Sequence, residues 1–195
     1  MKNTPIKYVC FFGFAEAKET DADYIATFES AKLLAEAGYT IVNGGGPGIM
    51  EAATKGAHAG GGKAIGVTLY PDGTDDLVNF EGRSPGNNFD EEVKEGSYLA
   101  RTLKLIDLGD IFVVMNGGTG TVSEFGMAWG LARLEYGHHE DLILYGQGWH
   151  QIMEAFATNM SIREEAFDVY HIVDTPEDVL ERVKHIDGLR RNERQ

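Results

Sequence analysis

The stretch IFVVMNGGTGTVSE, from Ile111 to Glu124, decides the fold. Its apolar half, Ile111–Met115, has the composition of a buried β-strand, and a glycine-rich turn then leads into a helix that opens with Val122. Glycines let a backbone approach an anion closely, and the amide groups at the start of a helix carry positive partial charge. The stretch therefore predicts a strand, a phosphate-binding turn and a helix, in that order.

Strands and helices alternate along the rest of the chain in the same way. Predicted strands occupy residues 6–14, 39–42, 64–69, 111–115, 141–145 and 170–173, with helices between most of them. This alternation is typical of right-handed βαβ units, so we expect an α/β fold with a parallel sheet of about six strands and helices on both faces. Tyr70–Gly96 shows no clear period and is acidic and turn-rich, which favours a long loop that acts as a lid or a mobile segment.

Composition limits the class of protein. The chain has 195 residues, of which 43% are hydrophobic, enough for one substantial core, and we expect a single domain over residues 1–195. The formal net charge of −14 argues against binding to nucleic acid or to an anionic membrane. The sole cysteine, Cys10, can form no internal disulfide, and the sequence shows neither a signal peptide nor an apolar run of membrane-spanning length. These features predict a soluble cytoplasmic protein.

Three glycine-containing turns follow predicted strands. They come after the first strand at Gly13, after Val42 in the sequence GGGPG, and after Met115. The carboxyl ends of parallel strands meet along one edge of the sheet, where open α/β folds bind their ligands. We therefore expect the three turns to converge on one crevice.

The motifs of several common chemistries are absent from the sequence. Neither long glycine turn gives the dinucleotide pattern G-x-G-x-x-G, and no Gly-Lys-Ser or Gly-Lys-Thr of a Walker A loop occurs. The six histidines show no metal-ligand spacing, and there is no G-x-S-x-G elbow. A mononucleotide or a sugar phosphate fits this pattern best, and we expect no cofactor and no metal.

Two ionisable residues flank the central turn, and each has a plain alternative interpretation. Glu124 could complete a capping box with Thr121, but it shares a helix face with apolar Ala128 and Leu131, beside the expected phosphate. Arg101 could be a surface charge, but the helix around it carries apolar residues on more than one face. An arginine there needs a partner, either Glu124 or a phosphate. A helix covered on two sides also indicates a subunit interface.

The two glycine motifs together carry a family resemblance. GGGPGIMEAA at residues 44–53 and GGTGTVSE at residues 117–124 resemble, in this order, the Lonely Guy family of phosphoribohydrolases, which act on cytokinin riboside monophosphates and AMP. The resemblance implies a Rossmann-like nucleotide-binding domain that forms a homodimer or a larger homo-oligomer, and it implies that Arg101 and Glu124 are catalytic. The residues that it implies for binding phosphate and substrate are Gly13, Gly45, Gly46, Met50, Glu51, Gly117, Gly118, Thr119, Gly120 and Thr121.

The chain departs from the family pattern at three places. Asn116 stands where the family usually has proline, Thr102 replaces a common lysine, and Gly13-Phe14-Ala15 replaces a glycine-serine-serine turn. The catalytic pair is kept, so the resemblance implies the same class of reaction and leaves the substrate range open.

The implied reaction is hydrolysis of the N-glycosidic bond of a nucleoside 5′-monophosphate, which gives a free base and ribose 5-phosphate. The alternative is a protein that binds or carries a nucleotide or the molybdenum cofactor without cleaving it, because the same superfamily includes such a carrier. A DNA-processing protein on a related fold is disfavoured by the net charge of −14. The lysine decarboxylase label given to some family members is also disfavoured, since no pyridoxal lysine with its supporting groups is recognisable.

Overall fold

The computed structural model describes residues 4–70, 83–134 and 142–192, and for residues 133 and 134 it describes the backbone alone. Strands and helices alternate as predicted, in the order β1 Tyr8–Phe12, α1 Ala22–Glu36, β2 Thr40–Asn43, α2 Ile49–Ala59, β3 Ala64–Leu69, β4 Glu91–Glu95, α3 Tyr98–Leu108, β5 Ile111–Val114, α4 Thr119–Leu134, β6 Leu142–Tyr145, α5 Gly148–Asn159, β7 Tyr170–Val173 and α6 Pro176–Asn192. A short 3₁₀ turn, Glu164–Phe167, precedes β7. Within these ranges no helix combines the length and apolar character that a membrane crossing requires.

The described strands form one parallel sheet in the order β4-β3-β2-β1-β5-β6-β7. From β1 the chain builds outward to β4 and then returns to the other side of β1, so β1 pairs with both β2 and β5. Val9 is in register with Ile41 of β2 and with Ile111 of β5. The direction of winding reverses between β1 and β5, and such a switch point opens a crevice at the carboxyl ends of the two strands. The predicted parallel α/β sheet is confirmed.

Helices cover both faces of the sheet, because alternate strand residues point to opposite sides. Val9 and Phe11 of β1 belong to a cluster that includes residues of α1, α2 and α6. Cys10 and Phe12 belong to a second cluster, which includes residues of α3, α4 and α5. All four of these strand side chains are essentially inaccessible to water, and burying each large apolar one contributes roughly 1.5–3 kcal/mol. The two cores fix α3 and α4 side by side on one face, and these helices carry Arg101 and Glu124.

The sheet has seven strands in the described part of the chain, so the prediction of about six was one strand short. The missing strand is β4, Glu91–Glu95, which lies within the segment predicted to be a long loop. Its sequence, EEVKE, contains one apolar residue, Val93, and therefore lacks the hydrophobic run that marks a buried strand. Among the described strands, β4 pairs with β3 alone, and its charged residues are of the kind that protect an open edge from further pairing. The rest of the predicted loop, from 71 to 82, lies outside the described residues.

A polar network ties the last helix to the amino-terminal edge of the sheet. The carboxylate of Asp187 accepts a hydrogen bond from the Ile6 amide at 2.7 Å and another from the Tyr39 hydroxyl at 3.4 Å. Arg190 donates to the carbonyl of Asp110 at 3.0 Å. These residues lie at the edge opposite to the crevice, and their contacts hold α6 in place.

Candidate functional site

A small cavity lies at the carboxyl ends of β1 and β5. Its volume is about 100 Å³. The end of β1, the first two glycine turns, helix α3 and the first turns of α4 all contribute to its walls, as the switch point predicts. The lining residues are Phe11, Phe12, Gly13, Phe14, Ala15, Gly44, Met50, Tyr98, Arg101, Gly118, Thr119, Gly120, Thr121 and Glu124.

Arg101 and Glu124 form an ion pair in the wall of this cavity. The Nη2 atom of Arg101 donates to Oε1 of Glu124 at 3.1 Å, and the two residues are 8% and 5% exposed. Arg101 is therefore not a surface charge. A charged pair buried to this degree costs desolvation energy, so its presence at a cavity is more typical of a functional site than of a device for stability.

The surroundings of Arg101 hold its side chain rigidly. A Cβ atom at Gly44 would lie 3.2 Å from Nη2, which is tighter than most such contacts, so the guanidinium packs closely against this turn. The ring of Tyr98 lies 5.4 Å from the guanidinium carbon, within the range of a cation–π contact. Within the part of the chain that the structure describes, the buried Nε atom of Arg101 has no hydrogen-bond partner. A buried donor without a partner is uncommon in folded proteins, and here it lies on a residue that lines the cavity.

Helix α4 supplies the predicted anion-binding amides. It begins at Thr119, and its first described hydrogen bond joins the Val122 amide to the Gly118 carbonyl at 3.0 Å. The amides of Thr119, Gly120 and Thr121 therefore have no carbonyl partner within the helix, and all three residues line the cavity. The capping-box interpretation of Glu124 is wrong, because Thr121 is the third residue of the helix and not its N-cap.

The lack of a side chain has a different effect at each of the two glycines before α4. A Cβ atom at Gly117 would lie 2.1 Å from Oγ1 of Thr121, so the turn can close only without a side chain there. A Cβ atom at Gly118 would meet no atom within 4 Å, because Gly118 faces open space at the cavity wall. The absence of a side chain at Gly118 leaves room for a ligand.

The backbone of Phe14 joins the two long glycine turns. Its amide donates to the Asn116 carbonyl at 3.1 Å, and its carbonyl accepts from the Ile49 amide at 3.0 Å. Gly48, with φ of +64°, passes so close that a Cβ atom would lie 2.4 Å from the Phe14 carbonyl oxygen. At Gly13 a Cβ atom would lie 2.5 Å from the Ile49 side chain. Close backbone packing brings the three turns together, as the sequence predicted.

Four of the residues predicted to bind substrate lie outside this cavity. Gly45 and Gly46 are behind it, where their carbonyls accept hydrogen bonds from the Asn87 side chain at 3.0 and 2.6 Å. The carboxylate of Glu51 points away, to Lys55 at 2.6 Å and Ser84 at 3.3 Å. The fourth, Gly117, lines a neighbouring cavity instead.

The charge of Glu51 is matched by Lys55. Hydrogen bonds to Glu19 and to Glu51 raise the pKa of Lys55, so this lysine stays protonated between two carboxylates. Glu51 is therefore part of a surface ion-pair network beside the site.

The sequence analysis missed several residues that shape the cavity. Phe14 and Gly44 lie next to predicted residues, and Tyr98 precedes Arg101 by one helical turn, so its place on the same face could have been read from the spacing. Asn87 is fully buried against the second glycine turn, through contacts that span more than 40 residues of sequence. No local pattern predicts such a contact.

A second cavity of about 230 Å³ adjoins the first. The two share Phe14 and Gly118 in their walls. The other residues that line the second cavity are Ala17, Asp21, Asp23, Asn116 and Gly117.

A third cavity, of about 610 Å³, lies beside β7 and α6 and is the largest of the three. The polar residues in its wall are exposed or half-buried, so we place the candidate site at the smaller cavity with the buried ion pair. Among the described residues, no group of three or more His, Cys, Asp and Glu side chains is arranged to hold a metal ion.

The chain belongs to the SLOG cluster4 family, whose model matches residues 7–158. The match covers β1 to α5 and therefore includes all three glycine turns, Arg101 and Glu124. The resemblance that the two glycine motifs indicated is confirmed at the level of this Lonely Guy-like superfamily.

Two relatives are similar to the chain in sequence. A protein of Archaeoglobus fulgidus with no assigned function is 31% identical over 117 residues, which cover 60% of this chain and 71% of that one. A rice protein, the probable cytokinin riboside 5′-monophosphate phosphoribohydrolase LOGL5 of Oryza sativa subsp. japonica, is 27% identical over 154 residues. That alignment covers 76% of this chain and 58% of the rice protein.

Solved structures share the fold at low sequence identity. The X-ray structure of TM1055 is similar with a TM-score of 0.68 and 21% identity, over 92% of this chain and 99% of that one. The molybdenum cofactor binding protein of Rippkaea orientalis is similar with a TM-score of 0.65 and 24% identity, over 94% and 97% of the two chains. The molybdenum cofactor carrier protein of Chlamydomonas reinhardtii is similar with a TM-score of 0.64 and 19% identity, over 93% of this chain and 98% of that one. DNA processing protein A of Helicobacter pylori is similar with a TM-score of 0.57 and 18% identity, over 94% of this chain and 82% of that one.

Proposed function

We propose that this protein hydrolyses the N-glycosidic bond of a nucleoside 5′-monophosphate, such as AMP or a cytokinin riboside monophosphate, to a free base and ribose 5-phosphate. The observation that carries the proposal is the buried pair of Arg101 and Glu124, 3.1 Å apart, in a cavity that also contains the first turn of α4. The similarity to a probable phosphoribohydrolase of rice supports it.

The 5′-phosphate binds at the start of α4. The amides of Thr119, Gly120 and Thr121 donate hydrogen bonds to it, and the positive end of the helix dipole adds to the attraction. These local donors matter because the whole chain carries a net charge of −14, which repels an anion at long range. Arg101 lines the same cavity, and its positive charge attracts the phosphate.

Glu124 acts on the ribose. Cleavage of the bond between C1′ and the base develops positive charge on the sugar ring, as in glycoside hydrolysis. A carboxylate held close to that ring stabilises the charge and orients the attacking water. The water oxygen forms the new bond to C1′, and the departing base takes up the proton that balances the reaction. Arg101 fixes the direction of the Glu124 carboxylate through the hydrogen bond at 3.1 Å.

The expected size of this effect follows from other preorganised groups. Removing one typically costs about 3–4 kcal/mol of transition-state stabilisation, which corresponds to a rate lower by roughly two to three orders of magnitude. We expect Glu124→Gln and Arg101→Ala to lower turnover by this amount. Glu154→Gln, an exposed carboxylate on α5, is the matched control and should keep full turnover.

The test is incubation of the protein with AMP, followed by chromatography of the products. We expect adenine and ribose 5-phosphate in equal amounts, with release strongly reduced for Glu124→Gln and unchanged for Glu154→Gln. AMP that stays intact with the native protein, or equal rates for the native protein and Glu124→Gln, would rule out the proposed reaction.

The second candidate function is binding or transport of a ligand without cleavage. The fold similarity to the molybdenum cofactor proteins of Rippkaea orientalis and Chlamydomonas reinhardtii favours it, although at 24% and 19% identity this similarity concerns the fold alone. A carrier gains nothing from a carboxylate beside an anionic ligand, which is why we favour hydrolysis. Tight retention of a nucleotide or of the molybdenum cofactor, with no free base released, would establish the carrier instead.

The proposal includes a cytoplasmic homodimer that does not bind nucleic acid. Three large apolar residues on α3 and α4 are exposed to water: Leu99 by 59%, Leu103 by 50% and Val122 by 54%. Exposed apolar residues on adjacent helices are typical of a surface that contacts another protein, here a second copy of the chain. The net charge of −14 argues against a DNA partner, despite the fold similarity to DNA processing protein A. Light scattering should give twice the chain mass, and Leu103→Glu should shift the mass toward the monomer. A monomeric native protein would overturn this part of the proposal.

A further inference from the structure

Phe14 leaves much of its side chain in contact with water. It is 43% exposed, whereas every other phenylalanine in the described part of the chain is buried or half-buried. The position lies two residues after the end of β1, at the switch point of the sheet. Packing of the core does not explain an aromatic ring here.

The backbone of Phe14 is fixed on both sides. Hydrogen bonds at 3.1 and 3.0 Å hold its amide to Asn116 and its carbonyl to Ile49. The neighbouring Gly48 packs against the same carbonyl, at a position where a Cβ atom would collide. The ring is therefore presented from a rigid base, and a rigid surface loses little conformational entropy when a ligand binds to it.

Phe14 lies between two cavities. Phe14 and Gly118 line both the cavity with Arg101 and Glu124, of about 100 Å³, and the neighbouring one of about 230 Å³. Pockets for organic ligands usually measure about 300–1,000 Å³, so the inner cavity alone cannot enclose a nucleotide. The two cavities together reach the lower end of that range. A nucleotide anchored in the inner cavity therefore extends beyond it, and the outer cavity past Phe14 is the adjoining space.

The charges of the two cavities determine the direction in which a nucleotide lies. The inner cavity offers Arg101 and the amides of α4, which attract a phosphate. The outer cavity has Asp21 and Asp23 in its wall, which repel a phosphate and accept hydrogen bonds from an uncharged group. These charges favour the phosphate in the inner cavity and the uncharged base in the outer one.

We propose that Phe14 is a specificity-determining residue of this chain, whose ring stacks against the base of the bound nucleotide at the junction of the two cavities. The identity of the ligand rests on the function proposed above. Stacking on a flat aromatic ring recognises any planar base and does not recognise the sugar phosphate.

The test compares two ligands that differ only by the base. Calorimetric titration with AMP and with ribose 5-phosphate is carried out in a Glu124→Gln background, in which AMP persists. Loss of a stacked aromatic ring typically weakens base binding by about 5- to 100-fold, so Phe14→Leu should weaken AMP binding by this factor. Ribose 5-phosphate should change by less than about twofold, because it makes no stacking contact. Phe14→Tyr, which keeps the ring, should retain the affinity for AMP.

The outcomes separate this inference from the proposed reaction. Unchanged AMP affinity in Phe14→Leu, or equal weakening of both ligands, would overturn the stacking role, even if the chain with native Glu124 releases adenine. Weakening of AMP alone would support the role, even if no adenine is released. A changed oligomer mass in Phe14→Leu with unchanged affinities would show that the ring contacts a second copy, and this too would overturn the inference. Thermal unfolding serves as the control for folding, since removal of an exposed ring should leave the melting temperature close to that of the parent.

Discussion

The ion pair between Arg101 and Glu124 allows a prediction that separates its structural effect from its chemical one. Arg101→Met removes the guanidinium and leaves the Glu124 carboxylate, 5% exposed, without it. Breaking a buried pair from one side costs about 3–5 kcal/mol in proteins, and since this pair faces a cavity we expect the cost to be about 2–3 kcal/mol. In a chain of this size each kcal/mol lowers the melting temperature by about 2–4 °C, so the expected loss is about 5–10 °C.

The double variant Arg101→Met/Glu124→Leu should regain most of that stability. It replaces both charges by apolar side chains of similar size, so no buried carboxylate is left without the arginine. It should remain inactive, because neither group needed for cleavage is present. Urea denaturation measures the free energy of unfolding, and release of adenine from AMP measures activity, on the same preparations.

The half-exposed pair of Arg83 and Glu92 is the control. Its atoms are 3.0 Å apart, but the side chains are 31% and 22% exposed, so Arg83→Met should cost only about 1 kcal/mol or less. Equal stability of Arg101→Met and the native protein would show that the buried pair does not form in solution. A double variant as unstable as the single one would contradict a cost that arises from the buried carboxylate, and an active double variant would refute the catalytic role.

Two further predictions concern other parts of the fold. Burial and the nearby Asp187 carboxylate raise the pKa of Tyr39 to about 12, whereas the unfolded chain loses this proton near pH 10. Near pH 11 the folded protein therefore keeps a proton that the unfolded chain has lost, so the folded state becomes less stable as the pH rises. The difference in free energy of unfolding between the native protein and Tyr39→Phe, measured by urea denaturation, should fall by about 1 kcal/mol between pH 9 and pH 11. An unchanged difference would contradict this. At the central turn, Gly117→Ala should lower the melting temperature, because its Cβ would lie 2.1 Å from Thr121, while Gly118→Ala should leave it unchanged and raise the KM for AMP. Equal effects of the two substitutions on both measurements would contradict this assignment.

The sequence predicted the location of the site because that location depends on local patterns. Alternating strands and helices determine a parallel sheet, and glycines after Phe12, Asn43 and Val114 then meet at its carboxyl edge. The apolar surroundings of Arg101 predicted that it needs a partner, either Glu124 or a phosphate, and in the structure Arg101 contacts Glu124.

The sequence failed where structure depends on distant contacts or on poor local signals. Helix α4 starts three residues earlier than expected. The prediction missed Thr119, Gly120 and Thr121 because these residues are weak helix formers. Tyr98 supports that first turn from outside, with its hydroxyl near the Gly120 carbonyl at 3.2 Å and bonded to Ser123. A contact between α3 and α4 therefore determines the start of the helix, and no window of sequence contains both.

Met50 lines the cavity and the adjacent Glu51 does not, for a geometric reason. Adjacent residues on a helix point about 100° apart, so only one of the two can face the cavity. Met50 does so, while Glu51 turns toward Lys55. The family motif includes both positions, and motif membership alone could not show which of them lines the site.

The central claim is tested most directly by binding and turnover measured together on native protein and Glu124→Gln at saturating AMP. We expect the variant to bind AMP with similar affinity, because the amides of α4 remain, and to release adenine about 100- to 1,000-fold more slowly. Equal turnover by the two proteins, or AMP retained intact by the native protein, would contradict the claim.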